Sequence, residues 1–258
     1  MVRVTTTDRR TALRTGAGLL AAGAFAAGCA TSGAVAHPTH AANPDSETAA
    51  QAGPRLFPGL PAQLTHGPRN HPRIALTFHG QGDPETAEAL LTEAERHGAR
   101  LTVLAVGTWL DEHPTLARRI LDGGHDLGNH THRHVDINAL PEADAEQEIL
   151  ACADRLKRLT GSIGTWFRPS RAARASPLVE RLAKRAGYPH VLSYDVDSLD
   201  FTAPGAPAVA RKVLDEIRNG SVVSLHFGYP DTVAALPVVL EELDRRGLRA
   251  VTTTELLS

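Results

Sequence analysis

The 258-residue sequence has few aromatic residues, only two cysteines and no excess of charge of one sign. Aromatic residues make up 4% of the chain, so its composition does not indicate a long stacking groove for extended sugar chains. The 27 basic and 29 acidic residues include no long basic run, which gives no reason to expect nucleic acid as a partner. Because 42% of the residues are hydrophobic, the chain can bury the core of a full domain.

The two cysteines lie in different parts of the predicted chain, Cys29 near the N-terminus and Cys152 in the folded part. If Cys29 is acylated or removed with an export signal, the folded part contains one thiol and no disulfide. The remaining Cys152 lies within a helical pattern and is predicted to be a small core residue.

Residues 1–36 have the pattern of an export signal. The pair Arg9-Arg10 precedes an apolar stretch from Thr15 to Gly28, which is typical of a twin-arginine or general signal and too short to span a bilayer stably. The stretch ends either in Ala26-Ala27-Gly28-Cys29, which is similar to a lipobox and would make Cys29 a lipidated N-terminus, or in Ala34-Val35-Ala36, a site for ordinary cleavage. We favour the lipobox and expect an exported chain, either a cell-surface lipoprotein or secreted, whose membrane contact is through the lipid alone.

Residues 37–70 show no helical or strand periodicity and are rich in Ala, Pro, Thr, Gly and His, so we predict a tether with a partly ordered end. The folded domain is predicted for residues 71–258, and we expect it to be a monomer.

From Arg73 onward, short apolar runs alternate with helical patterns. Strands are predicted at Ile74–Phe78, Leu101–Val106, Thr165–Arg168, His190–Tyr194, Ser221–Leu225 and Leu248–Val251. Helices are predicted at Pro84–His97, Pro114–Asp122, Ala143–Leu159, Pro177–Arg185, Ala206–Arg218 and Val233–Arg246. Repeated strand-then-helix order without a dinucleotide-binding fingerprint favours an α/β fold with a closed or nearly closed parallel barrel.

Polar residues follow the predicted strands, where parallel barrels carry their chemistry. His130 and His134 lie four apart, which would place two imidazoles on one face of a helical turn, within reach of one divalent ion such as zinc. Asp83 is the only carboxylate after the first of these strands, so it is the candidate for the third ligand. Alternatively the histidines are a polar loop cluster, and Asp83 only caps the helix that begins at Pro84.

Five motifs in order resemble those of the NodB-homology polysaccharide deacetylases, carbohydrate esterase family 4. They are Thr77-Phe78, His130-Thr131-His132-Arg133-His134, Phe167-Arg168-Pro169, Asp197-Ser198-Leu199-Asp200-Phe201 and Leu225-His226. The resemblance covers about Arg73 to Ser258. It implies a distorted (β/α) barrel that removes N- or O-acetyl groups from peptidoglycan or another acetylated polysaccharide, with a divalent metal cofactor for which we expect zinc.

The resemblance also implies roles for single residues. Asp83, His130 and His134 would hold the metal, and His226 would protonate the leaving group as general acid. Asp200 would orient His226, and Arg168 would position the general base.

The first motif departs from the family pattern Thr-Phe-Asp-Asp-Gly, because His79-Gly80 stands in place of the two aspartates. Either Asp83 is a metal ligand and His79 is the base, or Asp83 is the base and the third ligand is unidentified. Ser170-Arg171 replaces the usual Pro-Tyr, and Phe201 replaces the usual Trp. Two other functions stay open, a metal-dependent hydrolase of a non-sugar amide and an inactive relative that binds glycan.

Overall fold

A computed structural model describes residues 52–258. The predicted export signal, the lipobox cysteine Cys29 and residues 37–51 of the predicted tether lie outside this part, so the predictions made for them stay predictions. Within residues 52–258, no helix combines the length and the apolar character that a membrane span requires.

Eight short strands and eight helices make up the described part of the chain. The strands are β1 (Gln63–Leu64), β2 (Arg73–Gly80), β3 (Thr102–Ala105), β4 (Asp126–Asn129), β5 (Val191–Leu192), β6 (Val196–Asp197), β7 (Val222–His226) and β8 (Arg249–Ala250). The helices are α1 (Pro84–Arg96), α2 (Gly107–Glu112), α3 (Pro114–Asp122), α4 (Glu142–Thr160), α5 (Pro177–Arg185), α6 (Ala206–Glu216), α7 (Pro230–Arg245) and α8 (Thr253–Leu256).

The strands form a curved parallel sheet. Its order is β4-β3-β2-β7-β6, with β8 pairing to the start of β2, while β1 and β5 form a separate parallel pair. Phe167 links the two parts, since it bridges in parallel to Asn129 of β4 and to Val191 of β5. The predicted parallel α/β fold is confirmed, although the strands of the described residues do not close a continuous hydrogen-bonded ring.

The predicted helices are confirmed, and two of them, Pro114–Asp122 and Pro177–Arg185, have the predicted bounds. The start of α5 is also marked by a helix cap, because the Ser176 hydroxyl accepts a hydrogen bond from the Val179 N–H. Hydrophobic periodicity depends only on residues that are close in sequence, so the helices that it predicts are also found in the folded chain. The prediction that Cys152 is a core residue is also confirmed, and burial raises the pKa of its thiol to about 12.

Four strand assignments differ from prediction, and two of them are the two-residue strands β1 and β6, which were not predicted. The predicted strand at Thr165–Arg168 is reduced to a single bridging residue, Phe167, because Pro169 has no N–H with which to continue a ladder. In contrast, β4 was not predicted, since Asp-Leu-Gly-Asn has low β propensity and no apolar run. Its glycine is required by close packing: a Cβ on Gly128 would lie 2.5 Å from the carbonyl oxygen of Trp166.

The C-terminal part of the predicted tether packs on the domain. The ring of Phe57 stacks on Trp166 with centroids 5.7 Å apart, and the backbone N–H of Phe57 donates to His190 Nε2 at 2.9 Å. Further along, Arg69 forms an ion pair with Asp195 at 2.7 Å. Residues 57–69 are therefore held against the domain at both ends.

Candidate active site

The carboxyl ends of β2 and β7 open into a cavity of about 460 Å³. Histidines, tyrosines and single charged residues share its wall: His79, His134, Arg171, Tyr194, Asp197, Phe201, Ser224, His226 and Tyr229. The register of β2 and β7 makes His79 and His226 direct partners, and their rings stack with centroids 4.2 Å apart. The strand ends that the sequence marked as polar therefore meet at one place.

Three histidines form a compact group beside this cavity. One ring nitrogen from each of His79, His130 and His134 lies within 4.8 Å of the others. The shortest approach is between His79 Nδ1 and His130 Nε2, at 2.8 Å. His130 is fully buried, whereas His134 is half-buried. The group has the donor type and spacing of a candidate metal site.

The loop that carries His130 and His134 is not the helical turn that their spacing predicted. Thr131 and His134 have φ of 66° and 54°, in the left-handed region that side chains other than glycine seldom occupy. These two residues turn the chain back, so the two imidazoles still approach each other, with ring centroids 4.9 Å apart. Strained backbone of this kind is frequent at functional sites.

Buried polar groups hold this loop in place. The carboxylate of Glu148, on α4, accepts from the backbone N–H groups of His132 and Arg133 and from Arg133 Nε. The Thr131 N–H donates to Asn129 Oδ1, and the Thr131 hydroxyl donates to Ser170. Sequence reasoning missed Glu148, because nothing in a helical pattern distinguishes one buried glutamate from its exposed neighbours.

The surroundings of the three histidines favour neutral rings. Burial lowers the pKa of His79 well below its ordinary value, and nearby His130, His226 and Arg168 lower it further. Burial also lowers the pKa of His130 well below its ordinary value, followed by the effect of His134, and burial lowers the pKa of His134. Neutral imidazole is the form that binds metal ions.

The structure does not bring Asp83 into this group. Asp83 is exposed at the start of α1, where its carboxylate accepts from the Glu85 N–H at 2.7 Å. His79, on the inward face of β2, occupies the third position instead. The reason is geometric: β2 ends at Gly80, and Gln81 and Gly82 separate the strand from Asp83, which is already the N-cap of α1.

His226 and Asp200 form a second arrangement in the cavity. Asp200 Oδ1 accepts from His226 Nδ1 at 2.7 Å, while Oδ2 accepts from the His226 N–H and from the Thr232 hydroxyl. Burial raises the pKa of Asp200, but the hydrogen bonds from His226 and Thr232 and the charge of His226 outweigh it, so the pKa lies below its ordinary value. Asp200 therefore stays ionised and fixes the ring of His226.

Arg168 is fully buried behind the histidines. Its guanidinium donates to the carbonyl oxygens of Leu192 and Ser193 and to the Thr77 hydroxyl, and Nη1 lies 3.5 Å from His79 Nε2. Burial lowers the pKa of Arg168 to about 10, so the group remains charged at neutral pH. Its contacts join β2, which carries Thr77 and His79, to the end of β5.

Ser224 and Tyr194 are site residues that sequence reasoning missed. The Ser224 hydroxyl lies 3.0 Å from His79 Nε2, and the Tyr194 ring lies 5.4 Å from the guanidinium carbon of Arg168. A signal for Ser224 was present, since alternation along β7 puts Ser224 on the same face as His226.

Comparison with known proteins gives concordant matches. The polysaccharide deacetylase family matches residues 66–191. The chain is 32% identical over 194 residues to a peptidoglycan-N-acetylglucosamine deacetylase of Bacillus cereus, covering 74% of this chain and 90% of that protein. It is 29% identical over 197 residues to a chitooligosaccharide deacetylase of Bradyrhizobium sp., covering 67% and 85%. The crystal structure of a CE4 family pseudoenzyme from Bacillus anthracis superimposes with a TM-score of 0.72 at 23% identity, covering 77% and 70%, a likeness of fold alone.

Proposed function

Because the chain belongs to the polysaccharide deacetylase family, we propose that it hydrolyses N- or O-acetyl groups of a cell-wall or extracellular polysaccharide with a divalent metal ion such as zinc. One observation carries the proposal: two kinds of histidine meet at one cavity. Three have ring nitrogens within 4.8 Å of one another, and the fourth, His226, is held by a carboxylate. Together they offer the charge stabilisation and the proton transfer that amide hydrolysis needs.

His79, His130 and His134 are the residues that would hold the metal. Three neutral imidazoles are a ligand set of catalytic zinc sites that keep a fourth position open. Two nitrogens on one zinc ion lie at most about 4.2 Å apart, twice a Zn–N distance of about 2.1 Å. The separations in the group extend up to 4.8 Å, beyond that limit, so the most distant pair would have to move closer together to bind one ion. When bound, the ion would polarise the acetyl carbonyl and lower the pKa of water.

His226 is the proposed proton carrier. Its Nδ1–H donates to Asp200, which leaves Nε2 of the neutral ring as a proton acceptor. We propose that Nε2 takes a proton from water as the water oxygen bonds to the acetyl carbon. The same proton then passes to the sugar nitrogen or oxygen as its bond to that carbon breaks, which yields a free amine or hydroxyl and acetic acid, which loses its proton to solvent and becomes acetate. The carboxylate of Asp200 stabilises the imidazolium between the two transfers.

This assignment differs from the expectation that His79 or Asp83 is the base. The nitrogen of His79 that faces the group points at His130, and Asp83 is engaged at the N-terminus of α1. Arg168 is a positioning residue in this proposal, because its donors join β2, the strand that carries His79, to the end of β5.

A second candidate function is glycan binding without hydrolysis. The observation that favours it is the absence of a carboxylate from the three-histidine group, at a position where the family pattern has an aspartate pair. The cavity would then hold an acetylated sugar without cleaving it.

We also propose that the chain is exported and carries a lipid on Cys29. The support is the Arg9-Arg10 pair ahead of an apolar stretch that ends at Ala26-Ala27-Gly28-Cys29. Labelling of cells with a fatty-acid analogue should mark the wild-type chain and not Cys29→Ala; absence of label in both would favour free secretion.

The activity is tested by acetate release from acetylated chitooligosaccharides, peptidoglycan fragments and simple acetamides. We expect release from a glycan, loss of release with a chelator and recovery with added zinc. Glycan binding without acetate release in zinc-replete buffer would favour the second candidate. Release from simple amides alone would make the chain a non-sugar amidase.

A further inference from the structure

The ring nitrogens of His79 and His130 face each other, and their hydrogen-bond partners determine what can lie between them. His130 Nδ1 is 3.1 Å from the carbonyl oxygen of Arg168, which can only accept. Nδ1 of His130 therefore carries the hydrogen, and Nε2 of the neutral ring presents a lone pair. That lone pair points at His79 Nδ1, 2.8 Å away.

The two neutral tautomers of His79 have different consequences. With hydrogen on Nδ1, His79 donates to His130, and neither facing nitrogen can bind a metal ion. With hydrogen on Nε2, His79 Nδ1 also presents a lone pair, so that both facing nitrogens would be free to bind the same ion. Metal binding by both histidines thus requires the second tautomer.

The surroundings of His79 Nε2 decide how well that tautomer is tolerated. Two groups lie near it, the Ser224 hydroxyl at 3.0 Å and Arg168 Nη1 at 3.5 Å. A guanidinium can only donate, so among the described residues Ser224 Oγ is the acceptor available to an Nε2–H. His79 is 8% exposed and Ser224 is 1% exposed, so water is a poor substitute.

We propose that Ser224 is a positioning residue of the metal site: its hydroxyl accepts from His79 Nε2–H and so presents Nδ1 to the ion. A hydroxyl can also donate, so Ser224 serves either tautomer, whereas Arg168 favours only the one that cannot bind metal. This inference rests on the proposed function, since it assumes that the three histidines bind a metal ion.

Removal of the hydroxyl should affect the two states of the site unequally. In the metal-bound state, Ser224→Ala leaves a buried N–H of His79 unpaired and facing the Arg168 guanidinium. In the metal-free state, Nε2 is an acceptor that still has Arg168 beside it. We therefore expect zinc affinity to fall about 10–100-fold, the usual cost of losing a partner behind a metal ligand, with a smaller change in thermal stability.

The experiment measures the zinc dissociation constant of the full chain by competition with a chromophoric chelator, for wild type, Ser224→Ala and Ser224→Thr. Ser221→Ala is the matched control, because it removes a buried hydroxyl just before β7 that contacts Asp195 and Arg69 and not a histidine. Ring ¹⁵N NMR of His79 adds a readout that a purely structural role would not change. We expect hydrogen on Nδ1 without zinc and on Nε2 with zinc.

Weaker zinc binding by Ser224→Ala, near-normal binding by Ser224→Thr and Ser221→Ala, and the change of tautomer would support the inference. Equal affinity of wild type and Ser224→Ala would overturn it while leaving the proposed metal site intact. Absence of zinc binding by wild type would overturn both. If Ser224→Ala does not fold, the isosteric pair Ser224→Thr and Ser224→Val gives the same comparison, since the two differ only in the hydroxyl.

Discussion

At the cavity, the buried pair His79 and His130 differs from His226 in what the rings contact. His79 and His130 are buried against each other, a serine hydroxyl, a backbone carbonyl and the guanidinium of Arg168. His226 is partly exposed to the cavity, and both oxygens of the Asp200 carboxylate accept hydrogen bonds from it. Among the described residues, no anion is in contact with His79 or His130, whereas His226 is paired with one.

This difference separates two chemical uses of the same side chain. Imidazoles kept neutral by burial and by neighbouring positive charge present lone pairs, which suits a cation. An imidazole paired with an ionised carboxylate is fixed in one tautomer and can carry a proton, which suits acid and base chemistry. Each prediction below changes one side of this contrast.

The largest effect is expected from His130→Ala. Loss of a buried ligand should abolish zinc binding and reduce acetate release on the order of 10⁴-fold, since a Lewis acid contributes several kcal/mol to the transition state. Metal analysis of the purified chain and a steady-state assay check this. His132→Ala is the control, because His132 lies in the same loop outside the three-histidine group. One zinc per chain in His130→Ala would remove the basis for the site.

Substitution of His226 should reduce activity without loss of zinc. His226→Ala is expected to reduce kcat on the order of 10³-fold, within the usual range for general acid and base catalysis, at unchanged zinc content. Asp200→Asn should give a smaller loss, since it removes the orienting charge and keeps the imidazole. Activity of His226→Ala within a few-fold of wild type would exclude His226 as the proton carrier.

Acid should lower the stability of the metal-free chain through the buried histidines His79 and His130. The folded chain holds the pKa of His79 and His130 below the ordinary value of 6.5, chiefly through burial, so the unfolded chain binds more protons below that pH. The free energy of unfolding of the metal-free chain should therefore fall as pH drops from 6.5 toward the lowered pKa values. Urea unfolding at several pH values in chelator measures this. His130→Gln should flatten the dependence, and an unchanged slope would contradict the assigned cause.

The smallest effect separates a helix cap from a metal ligand. Asp83→Ala should cost about 1 kcal/mol of stability, as loss of an N-cap does, and leave zinc content unchanged. Ser176→Ala, which removes the corresponding cap of α5, should cost a similar amount. Thermal unfolding and metal analysis give both numbers. Loss of zinc in Asp83→Ala, with zinc retained in Ser176→Ala, would restore Asp83 as a metal ligand.

Much of the fold could be predicted from local patterns. The helices followed from apolar periodicity and, for α1, from the cap at Asp83, since both act over a few residues. The rule that parallel strands end at one edge predicted that His79 and His226, each directly after a predicted strand, would lie at the same edge. The strand β4 could not be predicted, because its pairing depends on neighbours rather than on its own apolar content.

The sequence by itself determined which residue types the site contains and which strand ends carry them, because motif order and strand periodicity are properties of the chain alone. Tertiary structure alone decided which of them touch. It put His79 beside His130, left Asp83 on the surface, and supplied Ser224 and Glu148 from elements distant in sequence. Those contacts depend on strand register, because a shift of one residue along a strand would reverse which side chains face inward. They also depend on the left-handed backbone at Thr131 and His134, which turns the loop back toward His130.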